Sequence, residues 1–467
     1  MLIGGETIGE GILSEVTNPY DGSVIDTIIE ATPEHVAAAV AAAHAALGPM
    51  AELTAYERGE RLYSACRMLS ERAEQFATTI CQEVGKTIRE ATGEVGRALE
   101  VLRLSAEEAR RFAGDHLPLD AAPNGAGKIG FSMRVPAGIV AAIVPFNFPL
   151  VLAAHKLGPA LAVGNSVVLK PAPQAPLASC MFASLLDEAG FPPGAVNVIP
   201  GGAEVGDALV RDERVRIVAF GGSDRTGDAV ARAAGAKKLL LECGSASAVT
   251  IMPTADLSKA LPACVRAGYA VAGQMCISVQ KVLAHRDLYD HFAAAFTERV
   301  SRLRTGDPRK EQTDVGPVIS IAAAERLTEW IDQARTQGAT VLTGGTHERT
   351  LFAPTVLGNV TSEMKVFTEE VFGPVVSLVR VNSLDEAMEL TNATRYGLNT
   401  GLYTNRLDEA LAFIRRVHHG SVLINETSAW RADLMPYGGV KSSGIGREGV
   451  RYAMEEMSEH KVVSMQI

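Results

Sequence analysis

Between Val135 and Met252 the chain alternates short apolar runs with turns and helical stretches. IVAAIV (139–144), SVVLK (166–170), VNVI (196–199), RIVAF (216–220) and KLLLE (238–242) are too apolar for a wet face, so each reads as a strand buried on both sides. Helical stretches such as ASCMFASLLDEAG stand between them. A βαβ series of this kind makes a parallel sheet with helices on both faces, and ligands bind it at the carboxyl ends of the strands. A second series follows Met252: helix DLSKALPACVRAGYAVAG, strand VQKVLAH, helix DLYDHFAAAFTERVSRL, and strands through VVSLVRV and SVLIN. The 467 residues exceed what one core organises, so two α/β units with a cleft between them are expected.

The first third reads as helical. ATPEHVAAAVAAAHAALGPM opens on Thr32-Pro33-Glu34, a capping residue with Pro at the first helical position. YERGERLYSACRMLSERAEQFATTICQEVG and REATGEVGRALEVLRLSAEEARRFAG continue it, up to a Pro-Asn-Gly loop near Pro123. HKVVSMQI at the end reads as a lone strand without a local partner, and a second subunit is one place for it to pair. With 44 basic and 54 acidic residues, nucleic acid and anionic membrane are disfavoured as partners. No apolar run is long enough to span a bilayer, and MLIGGETIGEGILSEV lacks the basic start and apolar stretch of a signal peptide. Cysteines at 66, 81, 180, 243, 264 and 276 show neither CxxC nor metal-ligand spacing, so no metal is expected and reduced thiols in the cytoplasm are the simplest reading.

Several loops carry candidate chemistry, each with an ordinary alternative. Val84-Gly85-Lys86-Thr87 mimics the tail of a P-loop, but the first glycine would fall on Ile80 with no strand ahead of it, and the motif is rejected. Phe220 to Gly227 follows a strand and opens a helix, where backbone N–H groups face a phosphate; taken alone, a plain turn is the better reading. In Pro145-Phe146-Asn147-Phe148-Pro149 the one polar side chain, Asn147, either bonds its own backbone or aims an amide at an oxyanion. Glu242 ends a buried strand, where it either reaches water or is held for function. Cys276, in AGQMCISVQ, is either an inert buried thiol or a nucleophile.

Together these segments resemble the NAD(P)-dependent aldehyde dehydrogenase superfamily over essentially the whole chain. PFNFP at 145, KPAPQAP at 170, FGGSDRTG at 220, LLECGS at 240, GQMCIS at 273, EEVFGPV at 369 and PYGGVKSSGIGREG at 436 stand in family order. The resemblance implies an α/β fold with a Rossmann-type cofactor domain (1–117 and 137–243), an α/β catalytic domain (244–435) and a small β oligomerisation arm (118–136 and 436–467), assembled as a homodimer or homotetramer. It implies that Cys276 attacks an aldehyde, that Asn147 and the Cys276 N–H hold the oxyanion, and that Glu242 activates water to hydrolyse the thioester. Lys156 and Glu448 match positions that relay the proton. For NAD or NADP, Pro145, Phe146 and Gly222 line the site, Ser223 faces the pyrophosphate, Lys170 the adenosine ribose, and Glu370 and Phe372 the nicotinamide ribose and ring.

Pro173 departs from the pattern, since many relatives have there a Glu that accepts hydrogen bonds from the ribose hydroxyls. Without that charge a 2′-phosphate meets no repulsion, so NADP is expected to be accepted or preferred. FGGS for FTGS and Cys243-Gly244-Ser245 for Leu-Gly-Gly exchange small residues for small. Arg97, His155 and Arg431 align with the substrate tunnel, with Met275, Ile277 and Tyr437 around them. Arginine binds carboxylate or phosphate through its planar fork, so a small polar or anionic aldehyde is expected (semialdehyde, lactaldehyde or glyceraldehyde-phosphate type). Against this, Glu94 and Asp433 offer the arginines ion pairs, and an aromatic aldehyde suits Met275, Trp430 and Tyr437. A CoA-acylating enzyme is disfavoured by Glu242, and a non-catalytic relative by the intact Cys276, Asn147 and Glu242.

Overall fold

The computed structural model describes residues 1–467. An eight-stranded sheet runs in the order Glu6–Thr7, Leu2–Ile3, Val196–Val198, Ser166–Lys170, Ile139–Ile143, Val215–Gly222, Lys238–Cys243, Gly444–Ile445. The five predicted strands form its parallel centre. Their apolar runs are buried on both faces. Val140, Ala142, Val167 and Leu169 enter a core of 51 residues on one side, while Ile139, Ala141, Ile143 and Val168 enter one of 20 on the other. Strand order reverses beside Ile139–Ile143, whose chain successor Ser166–Lys170 lies on one side and Val215–Gly222 on the other. Such a switch point opens a crevice at the carboxyl ends of the strands. Pro145 to Asn147, Lys170, Gly222, Ser223 and Glu242 all lie at those ends.

A seven-stranded sheet with its own core of 42 residues is built from Thr340–Thr343, Thr355–Gly358, Val375–Val381, Lys281–His285, Ala248–Ile251, Asn399–Tyr403 and Ser421–Ile424. No single helix is long and apolar enough to cross a membrane.

Two expectations are corrected. The first third is not purely helical: Leu2–Ile3 and Glu6–Thr7 edge the large sheet, and Ile12–Thr17 pairs with Val24–Glu30 as a half-exposed hairpin. These strands are short or wet, so no apolar run marks them. The C-terminal strand is not alone either. Ser458–Gln466 pairs antiparallel with Lys128–Pro136 of the same chain, from Ser458 opposite Pro136 to Gln466 opposite Lys128. That partner lies far back in the chain, so no hairpin turn announces it.

The rejected P-loop is a helix junction. Gly85 (φ 79°) closes helix Ala73–Val84, Thr87 caps Ile88–Ala109 with Glu90 completing a capping box, and buried Lys86 pairs with Glu94.

Candidate active site

Helix Val151–Val163, buried throughout, carries His155 and Lys156 into the interior. Glu94 Oε1 accepts the N–H groups of Leu150 and Val151 (2.9 and 3.1 Å), placing a carboxylate at the positive end of that helix. The loop that leads to Cys276 is strained. Val271 (φ 53°), Ala272 (φ 51°) and Gly273 (φ 69°) are consecutive left-handed residues, and for the two non-glycines this costs about 1–3 kcal/mol each. Glu90 Oε1 holds the Val271 N–H (2.8 Å), while Gln274 donates to the Val271 carbonyl (3.1 Å) and accepts from the Ile319 N–H (2.9 Å). A Cβ on Gly273 would lie 2.0 Å from the Gly373 carbonyl oxygen, so this loop lies directly on EEVFGPV.

Two predicted residues, Tyr437 and Glu242, meet at Cys276. Its Sγ is 3.2 Å from Tyr437 Oη, which is 3.5 Å from Glu242 Oε1. Asn147 does not bond its own backbone: Nδ2 donates one hydrogen to the Gln274 carbonyl (2.8 Å), and Oδ1 is buried without a partner. Lys156 Nζ donates to Glu448 Oε1 at 2.8 Å, both side chains being buried. Burial, reinforced by Glu448, pushes Glu242 up to about 7, against the pull of Cys276, Lys156 and Arg431. Burial works the same way on Glu448, but Lys156 and Arg431 overcome it and hold that carboxyl down to about 2. Burial and the neighbouring Glu242 push the Cys276 thiol up, opposed by the hydrogen bond from Tyr437.

In the crevice, Lys170 is buried with only the Pro171 carbonyl as partner (3.1 Å), and burial alone pulls its amine down to about 8. No carboxylate pairs with it, and Pro173 is exposed nearby in sequence. Ser223 caps helix Asp224–Ala234 by accepting the Thr226 N–H (3.3 Å). Phe146 and Phe372 meet edge to face at 5.8 Å. Glu370 accepts the Ser245 N–H (3.0 Å), and burial pushes it up to about 8. Gly244 lets the Glu370 carboxylate sit close, since a Cβ would fall 2.2 Å from Glu370 Oε2 and displace it.

Arg97, Arg431 and His155 also cluster; the expected Arg431–Asp433 ion pair is present at 3.8 Å, while Arg97 takes a different partner from the one expected. Arg97 grips Asp433 through two bonds (2.6 and 3.2 Å); Glu94 instead serves Lys86 and the helix end. Arg431 is buried, not on the surface: its guanidinium lies over the Tyr437 ring at 3.8 Å, 3.0 Å from His155 Nε2 and 3.5 Å from Glu448 Oε2, and its Nε has no hydrogen-bond partner. His155 Nε2 also lies 3.0 Å from Asp433 Oδ1. Burial, then Arg431, pull His155 down to about 4, so the ring is neutral at pH 7. Met275 and Ile277 flank the cysteine, Ile277 packing with Tyr437 and Leu398, and Trp430 is half exposed.

The sequence matches the aldehyde dehydrogenase family over residues 9–463. The chain belongs to that family. It is 42% identical to a 3-sulfolactaldehyde dehydrogenase of Priestia aryabhattai, across 100% of this chain and 98% of that protein. Aldehyde dehydrogenase 21 from Physcomitrella patens, solved with the reaction product succinate, is 37% identical with a TM-score of 0.97, covering 100% of this chain and 97% of that one. Glyceraldehyde-3-phosphate dehydrogenase GapN from Methanocaldococcus jannaschii, complexed with NADP, is 35% identical with a TM-score of 0.95, covering 98% and 100%.

Sequence reasoning missed two residues that organise this aldehyde dehydrogenase site. Gln274 holds both Asn147 and the strained loop; its place beside the cysteine was the available signal. Arg395 clamps Glu369 (2.6 Å) and Asp224 (2.8 Å), tying EEVFGPV to the helix that Ser223 caps. Nothing local in the sequence marks it.

Proposed function

We propose that the protein oxidises a small anionic aldehyde to its carboxylic acid with NAD or NADP, through Cys276 and a water activated by Glu242. The observation that carries this reading is the convergence of Cys276, Tyr437 and Glu242 at the carboxyl end of the parallel sheet, with the Asn147 loop beside them. The Cys276 thiolate forms a C–S bond to the aldehyde carbon while the carbonyl electron pair moves to oxygen. The Asn147 amide and the Cys276 N–H hold that oxyanion. A nicotinamide nucleotide bound in the crevice supplies the hydride acceptor for the oxidation, which leaves a thioester on Cys276. Glu242 then takes a proton from water, hydroxide adds to the thioester carbon, the C–S bond breaks, and Cys276 departs as thiolate. The Lys156–Glu448 pair gives the Glu242 proton a way out.

A dinucleotide suits the residues present. Lys170 is a buried amine without a counter-charge, suited to a ribose hydroxyl or a 2′-phosphate, and Pro173 brings no repulsion, so NADP is used at least as well as NAD. For the substrate, two of these relatives are named for a sulfonated and a phosphorylated aldehyde, and the third was solved with the dicarboxylate product succinate. Around the thiol, the cations Arg97, Arg431 and Lys156 face the carboxylates Asp433 and Glu448, with His155 neutral, so one positive charge is left over while both Glu242 and the Cys276 thiol stay protonated. The cofactor, catalytic and arm segments follow the boundaries given above, with the open edge of Ser458–Gln466 available for assembly into a dimer or tetramer.

The test is the initial rate of NADPH and NADH formation with succinate semialdehyde, propanal and benzaldehyde, beside a Cys276→Ala control. Fastest turnover on the semialdehyde, abolished in the control, is expected. Turnover that survives Cys276→Ala would exclude the mechanism, and acid formed only when CoA is added would reassign the second step.

A further inference from the structure

The phenol of Tyr437 is not needed for packing. Its ring already fills the space among Ile277, Leu398 and Cys276, and a phenylalanine would fill it equally. Yet the hydroxyl is buried between two reacting groups, 3.2 Å from Cys276 Sγ and 3.5 Å from Glu242 Oε1. Two features fix the ring. The Arg431 guanidinium lies 3.8 Å from its centroid, and the backbone exchanges hydrogen bonds with Glu448, Tyr437 N–H to Glu448 O at 3.0 Å and Glu448 N–H to Tyr437 O at 2.6 Å. Glu448 is the carboxylate that holds Lys156, so the position of the phenol is tied to the same side chains that surround the base.

A hydroxyl has one proton to donate, and the acceptor carrying more charge takes it. We infer that the Tyr437 hydroxyl is a catalytic hydrogen-bond donor that holds the Cys276 sulfur as a thiolate before attack. Once the sulfur is acylated it becomes a poor acceptor, and the hydroxyl turns to Glu242. No covalent bond to Tyr437 forms or breaks. The inference rests on Cys276 being the nucleophile, but it concerns the sulfur itself and not which aldehyde is used.

The thiol is faced by Glu242 and Glu370, which oppose its ionisation, and by Tyr437, which favours it. Arg431 lies across the Tyr437 ring, and Lys156 and Glu448 lie beyond Glu242. All of these remain when only the hydroxyl is removed, so the difference between enzymes isolates the phenol.

The experiment is the rate of iodoacetamide alkylation at Cys276, followed by mass spectrometry of its peptide from pH 5 to 10, in the wild-type enzyme and Tyr437→Phe. The profile of the variant should shift up by about one pH unit, with an alkylation rate about tenfold lower at pH 7. If Tyr437→Phe fails to fold, 3-fluorotyrosine placed at 437 alone tests the same point, because its more acidic hydroxyl should shift the profile down. An unchanged profile overturns the inference and would make Tyr437 a tunnel wall only. The two failures are distinguishable: turnover in Cys276→Ala refutes the proposed reaction, whereas a dead Cys276→Ala with an insensitive alkylation profile refutes the role of Tyr437 alone.

Discussion

The crevice at the sheet end and the pocket beyond the thiol both contain buried cations, but they compensate them in opposite ways. In the crevice, Lys170 has a single backbone carbonyl and no carboxylate. Beyond the thiol, Arg97 and Lys156 are matched to Asp433 and Glu448, and Arg431 shares both of these carboxylates while lying against His155 and an aromatic face. A buried charge without a partner is costly. The crevice therefore leaves part of its electrostatics to a ligand that carries its own negative charge. The pocket beyond the thiol is nearly neutral before anything binds, and under the proposed function it would select an anion only by a surplus. Affinity for the cofactor should thus depend on one residue, and preference among aldehydes on a network.

Substitutions at the reaction centre bound the comparison from above. Cys276→Ala should lower kcat by about 1,000-fold or more, since it removes the sulfur on which the thioester would form. Glu242→Gln should give one turnover of NADPH and then stall, with steady-state kcat down about 100- to 1,000-fold, read by rapid-mixing absorbance. Arg431→Met removes the surplus and should cut kcat/KM for succinate semialdehyde about 100-fold while leaving propanal within a few fold, measured from initial rates. Lys170→Met should raise KM for NADP about tenfold and KM for NAD less; equal effects on the two would remove the 2′-phosphate from the argument.

The smallest effect concerns stability. Glu242 has a folded-state pKa of about 7, raised from the ordinary value of 4.5, so its ionisation opposes folding. That penalty is absent below about 4.5, grows from there to about 7, and is full above 7. Glu242→Gln should accordingly raise Tm by roughly 2–4 °C at pH 8 and leave it unchanged at pH 4.5, by calorimetry. A gain at pH 4.5 would place its origin in packing instead.

The central sheet was legible because IVAAIV, SVVLK and KLLLE are buried on both faces, which leaves an unambiguous apolar signal. The loops at its carboxyl end followed from the same runs. The C-terminal strand was legible as a strand, but not its partner Lys128–Pro136, because pairing across such a separation leaves no turn to read. Candidate site residues were found through ordered motifs, and the structure brings Cys276, Glu242 and Tyr437 together. Their polar partners were harder. Glu94 sits three residues from Arg97, yet the fold turns it to Lys86 and a helix end, while Asp433 reaches Arg97 from the far end of the chain. Arg395 and the left-handed Val271 and Ala272 depend wholly on tertiary contacts, and their sequence context is unremarkable.

The most direct measurement is the ratio of kcat/KM for succinate semialdehyde to that for propanal, with NADP, in the wild-type enzyme and in Arg431→Met. A ratio far above one that collapses by about 100-fold in the variant is the predicted result. A wild-type ratio near one, or a high ratio that survives the substitution, would contradict the claim that a surplus of buried positive charge selects the substrate.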